Sequence, residues 1–181
     1  MTEEHLQTEQ GQDMEVIDIE LFTSNDWIPP QGKHYKVKIG AHYYTIHEQW
    51  VTREQLLQKA GYKHLECYLL YQLIRGCQLE LLEPGQRVDL AKPGIEHFLV
   101  ADPDVFHYTI DGEPETTEHK ELTPNQILEK AGIKPISNYY MVRIDHDGQQ
   151  NSFKGKMDQP IKMLCPTVKY ISVYDGPTPV S

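Results

Sequence analysis

Apolar and polar residues alternate over residues 35–39 (YKVKI), and a second strand-like run, residues 43–46 (YYTI), follows the break at Gly40-Ala41. A period of two predicts strands with one buried face, and the short glycine-containing break predicts a hairpin. The period then changes. Thr52-Arg53-Glu54-Gln55 sets a hydroxyl three residues ahead of a glutamine, the pattern of a reciprocal helix cap. Leu56, Leu57 and Ala60 follow at helical spacing, and Val51 precedes the cap where it can staple to Leu56. Gly61 stands where a helix closes on a left-handed residue. These signals predict a helix over 53–60.

The pattern recurs. Residues 35–61 and 106–132 align without a gap at an offset of 71, and eight of the 27 positions are identical, among them Ile39/Ile110, Thr52/Thr123, Gln55/Gln126 and Gly61/Gly132. The match resumes at Tyr68/Tyr139. After a slip of two residues it returns where Pro93-Gly94-Ile95 meets Pro166-Thr167-Val168. In the second copy residues 106–110 run into Asp111-Gly112, a strong tight-hairpin signal. The return strand is weaker there, because Glu113, Pro114 and Glu115 are poor strand formers. Thr123-Pro124-Asn125-Gln126 is a second capping box with proline at the first helical position, which predicts a helix over 124–131.

Apolar runs over 67–73 and 139–144 predict one more strand in each copy, and 95–100 and 168–174 predict the last. Between them, residues 78–82 read as a short edge strand, and residues 145–148 as a turn. The order is strand, strand, helix, strand, short strand, strand. One helix on one face of a small mixed sheet is an α+β arrangement. The repeat predicts two related domains, over 34–102 and 103–176.

That order, with a hairpin leading straight into a capped helix, resembles the ubiquitin-like β-grasp fold. Residues 35–39 (YKVKI), 55–61 (QLLQKAG), 68–73 (YLLYQL), Val88-Asp89-Leu90 and 93–98 (PGIEHF) resemble, more narrowly, the prokaryotic multi-ubiquitin family of bacterial tandem ubiquitin-like proteins. The likeness runs over about residues 34–176 and is less faithful in copy two. It implies two tandem ubiquitin-like β-grasp domains and a protein modifier with no catalytic residues and no cofactor of its own. It also implies three partners: an activating enzyme, a conjugating enzyme, and a peptidase for processing and deconjugation. By association only, it implies a bacterial ubiquitination-like operon and a role in antiphage defence. A non-covalent tandem β-grasp module, recruiting partners through its sheet faces, is the alternative.

Ubiquitin-like proteins act through their C-terminal end, so the resemblance directs attention to Asp175-Gly176-Pro177. It implies that a peptidase removes residues 177–181, that Gly176 becomes the terminal carboxylate, and that the end product is an isopeptide-type bond. Glycine suits this role because a backbone without Cβ can enter a narrow channel. Aligned at the last strand, copy one has Asp102-Pro103 where copy two has Asp175-Gly176. Without the resemblance, Asp-Gly-Pro before a polar tail is simply a turn.

Composition narrows the alternatives. Seventeen basic against 27 acidic residues leave a net charge of −10, which argues against a general nucleic-acid binder. No run approaches 18 apolar residues, so no membrane helix is expected, and the acidic N-terminus lacks the layout of a secretory signal. A cytoplasmic protein is the expectation. Residues 1–33 read as a flexible acidic arm and linker. Within it, residues 15–22 (EVIDIELF) could add as a strand or dock on a partner, but a solvated arm is the favoured reading.

Cys67, Cys77 and Cys165 form no CxxC and are odd in number, so neither a disulfide framework nor a zinc site is expected. The nine histidines lack HxxxH spacing, and Asp145-His146-Asp147-Gly148 lacks the later ligands of a calcium loop, so no metal site is expected either. Self-association, as isologous contacts or head-to-tail filaments, is compatible with a repeat protein.

Overall fold

The structure, a computed structural model, describes residues 15–177. These fall into two compact units. Unit one comprises residues 15–65 and 69–101; unit two comprises 66–68 and 102–177.

Unit one opens with β1 (Val16–Asp18) and α1 (Ile19–Ser24), followed by β2 (His34–Ile39), β3 (His42–Ile46), β4 (Trp50–Thr52) and α2 (Arg53–Lys59). It continues with β5 (Leu69–Ile74), β6 (Gln78–Leu81), β7 (Arg87–Asp89) and β8 (Ile95–Ala101). The main sheet runs β1-β2-β8-β5-β6, with β3 on the other edge of β2. β4 and β7 form a separate small ladder. Tyr35, Val37 and Ile39 alternate inward from β2 and are buried with Leu56, Leu57, Leu70 and Phe98.

Unit two repeats the plan with β9 (Phe106–Ile110), β10 (Glu113–Thr117), β11 (Glu121–Leu122), α3 (Pro124–Lys130), β12 (Tyr139–Ile144), β13 (Gln150–Ser152), β14 (Ile161–Lys162) and β15 (Val168–Tyr174). Its sheet runs β10-β9-β15-β12-β13, with β11 and β14 as a second ladder. Its core gathers Phe106, Tyr108, Ile110, Ile127, Leu128, Met141, Val168 and Tyr170. β10 forms despite Pro114 because it is an edge strand, where a missing N–H faces away from the ladder.

Both helices keep their caps. Thr52 Oγ1 accepts from Gln55 N at 3.2 Å, and Gln55 Oε1 accepts from Thr52 N at 2.7 Å. Thr123 and Gln126 repeat this at 3.1 and 2.7 Å. Both C-termini close identically: Gly61 N donates to Gln58 O and Tyr62 N to Leu57 O, while Gly132 N donates to Glu129 O and Ile133 N to Leu128 O. That pair of hydrogen bonds needs a left-handed residue, and Gly61 and Gly132 have φ of +85° and +73°.

Two expectations fail. Of the predicted flexible arm, residues 1–14 lie outside the described residues, but residues 16–24 form β1 and α1 rather than a solvated arm. Val16–Asp18 pairs in parallel with His34–Lys36, and Ile17 and Ile19 are almost fully buried. The alternating acids that looked solvating face outward and are paired: Asp18 with Lys36 at 2.8 Å, and Glu20 with the Tyr43 hydroxyl at 2.6 Å.

The second failure concerns the cysteines. Cys67, in the segment that clusters with unit two, is disulfide-bonded to Cys165 across 98 residues of sequence. An odd count shows only that one thiol is left over, and that is the exposed Cys77.

Candidate functional site

β15 lies centrally in the sheet of unit two, parallel to β9 and antiparallel to β12, and its last rung pairs Tyr174 with Tyr139. The chain then leaves the sheet beside the single helical turn Ile136–Asn138. There Asp175 N donates to Asn138 O at 2.7 Å, and Lys154 Nζ donates to Asp175 Oδ1 at 2.7 Å. Tyr174 Oη donates to Pro177 O at 2.9 Å. Lys154 also lies 5.2 Å from the centre of the Tyr140 ring. Its ammonium is pushed above the usual lysine value, chiefly by the hydrogen bond to Asp175.

Gly176 is the residue this cage constrains most. A Cβ placed there would lie 2.7 Å from Tyr174 Oη and 2.8 Å from Asn138 Cγ. Its backbone is not in the left-handed region, and the atoms in the way belong to two side chains, so a larger residue would have to push Tyr174 and Asn138 aside. The three residues named from the sequence, Asp175, Gly176 and Pro177, therefore lie together on a folded-back end. The residues that hold them (Asn138, Lys154, Tyr174) were not expected. No local signal marks Asn138 or Lys154, which are distant in sequence from Asp175.

The strand ladders correct the internal alignment at this point. In unit two the pairing of β12 with β15 runs unbroken. In unit one Ile74 pairs with Ile95 but Leu73 with His97, so Glu96 is an extra residue, a β-bulge. Leu69 pairs with Ala101, and its counterpart Tyr140 pairs with Val173. Asp102 thus matches Tyr174, Pro103 matches Asp175, and Asp104 stands at the place of Gly176. The sequence alignment was one residue out because a bulge adds length without leaving a compositional mark.

The other candidates assemble no chemistry. Asp145 takes Arg143 Nε at 2.6 Å and Asn151 Nδ2 at 2.7 Å, so its carboxylate is spent on a turn. No group of three or more His, Cys, Asp or Glu side chains able to hold a metal occurs among the described residues. No helix of the described residues is long and apolar enough to cross a membrane.

A mixed sheet carrying one short capped helix, entered by a hairpin, is consistent with a ubiquitin-like fold. Residues 35–102 match the family model described as Multiubiquitin, and over that segment the chain is multiubiquitin-like. No curated protein matches the chain.

Proposed function

We propose that this chain is a ubiquitin-like protein modifier built of two tandem β-grasp domains and matured to a C-terminal Gly176. The observation that carries the reading is the Multiubiquitin match over residues 35–102. Supporting it, the strand, helix and cap order recurs in unit two, whose central strand ends two residues before Gly176. A peptidase hydrolyses the bond between Gly176 and Pro177. An activating enzyme then joins the freed carboxylate to the α-phosphate of ATP, releasing pyrophosphate. The acyl group then passes to a nucleophile of the conjugating enzyme with release of AMP, and from there to an amine or hydroxyl of the acceptor, which frees the conjugating enzyme. The electrophile belongs to this chain and the nucleophiles to its partners, so the chain itself is not an enzyme. The setting we propose is the bacterial cytoplasm, within a ubiquitination-like operon serving antiphage defence. Disulfides are rare in that reducing compartment, so the Cys67–Cys165 bond would there be a reversible one.

Reconstitution with ATP, the activating enzyme and the conjugating enzyme, read by intact mass, tests the reading. Wild type should lose residues 177–181 and form adducts through Gly176. Gly176→Arg, whose side chain must displace Tyr174 and Asn138, should give neither product, a loss of more than roughly 100-fold, about 2.7 kcal/mol. Adducts from Gly176→Arg would sink the mechanism placed at this residue.

The alternative is a non-covalent tandem β-grasp scaffold. It is favoured by Leu79 and Leu81, both exposed on β6 at the end of the sheet. Full-length protein that binds partners without a mass change would select it.

A further inference from the structure

Tyr35 of β2 pairs with Ile46 of β3, so the next rung outward sets His34 opposite His47. The two imidazoles meet edge to face with centroids 4.3 Å apart, and their Nδ1 atoms are 3.3 Å apart in an exposed position. Two nitrogens bound to one tetrahedral ion at about 2.0–2.1 Å lie about 3.3–3.4 Å from each other. The two side chains therefore already stand at the spacing of a ligand pair.

Three further features fit this use. Neutral imidazole is a preferred ligand of nickel, copper and zinc. The second side-chain torsion of histidine is soft, so the rings are free to rotate toward a shared ion. Lys36, two residues from His34 on the same strand, is ion-paired with Asp18 at 2.8 Å, and the chain as a whole carries a charge of −10. Repulsion of an incoming cation is correspondingly small, and the long-range field favours it.

We propose that His34 and His47 form a two-histidine half-site for a divalent transition-metal ion of the nickel, copper and zinc group. Because no larger cluster of ligating side chains occurs among the described residues, the pair is the described protein's whole share of the coordination. Water, or a donor atom from another molecule, completes it. The sequence carried a signal that spacing rules for helices miss. A hairpin turning at Gly40-Ala41 pairs residues whose numbers sum to 81, and 34 and 47 do so.

The test uses full-length protein in a non-coordinating buffer, titrated with nickel chloride by calorimetry and by nuclear magnetic resonance. One equivalent should bind, and paramagnetic broadening should strike the His34 and His47 resonances first. His34→Gln and His47→Gln should each weaken binding by roughly tenfold or more. His42→Gln, on the same hairpin outside the pair, should leave it unchanged. Circular dichroism checks that each variant is folded, and the broadening of wild type needs no variant at all. Absence of binding, broadening that spares both rings, or an affinity within about threefold of wild type in either pair variant would show that the rings only share a hydrogen bond.

Discussion

At matching inward positions of their central strands, unit one carries Val37 and Phe98 where unit two carries Tyr108 and Tyr170. The two tyrosine rings meet edge to face with centroids 5.7 Å apart. Their hydroxyls are buried, and neither has a hydrogen-bond partner among the described residues. The buried tyrosine of unit one, Tyr35, instead reaches Pro30 O at 2.7 Å, and its counterpart in unit two is Phe106. The caps at both ends of the helices are nevertheless the same in the two units. Local devices are settled within a few residues and survive duplication. Interior positions answer to neighbours from the whole unit and drift with them, here leaving unit two, among the described residues, with two unsatisfied polar atoms that unit one lacks.

The largest effect expected from this difference is at alkaline pH. Burial pushes the Tyr170 phenol up to about 12. In the unfolded chain it titrates near 10, so between these values the unfolded state loses its proton while the folded state keeps it. The stabilisation is complete below pH 10 and falls by roughly 2–3 kcal/mol as pH rises to about 12. Tyr170→Phe, which gives unit two the residue of unit one, should remove most of that fall. At neutral pH it should raise stability by about 1–2 kcal/mol through deletion of an orphan hydroxyl. Denaturant melts at pH 7 and 11 measure both. A variant less stable than wild type at pH 7 would mean that the hydroxyl is satisfied.

A smaller effect probes the shared feature. Thr52→Ala and Thr123→Ala should each destabilise their own unit by roughly 0.5–2 kcal/mol, with similar values for the two. Unchanged melting of either variant would break the equivalence of the caps.

The smallest effect concerns the pinned end. Lys154→Gln removes the exposed ion pair with Asp175. Under the modifier reading it should speed peptidase trimming by roughly two- to fivefold, as befits a surface pair. Slower trimming would instead make Lys154 part of what the peptidase recognises.

The elements that were legible beforehand are those with local signals. Both capping boxes, the Asp111-Gly112 hairpin (φ of +53° and +92°) and the alternating strand β2 lie within a few residues of predicted positions. β1 and α1 were missed because acidic residues alternating with apolar ones read as solvating. Lys36 and Tyr43, which take up those acids, are known as their partners only from the fold. The ladders of β4 with β7 and β11 with β14 are too short to show a period. At the candidate site the resemblance named the three terminal residues, whose role belongs to the proposed function. The cage around them was not, because Asn138 and Lys154 act through a backbone carbonyl and a long surface side chain.

The strand β1 has a practical corollary for anyone cutting the gene. A fragment trimmed to residues 35–102 would respect the family boundary yet discard Ile17, Ile19 and Thr23, which are buried in unit one. It would also strip the hydrogen-bonding partner from the opening residues of β2, leaving a raw edge. Poor behaviour of such a fragment would report on the missing strand rather than on the domain itself, and a start at or before residue 15 keeps β1 and α1.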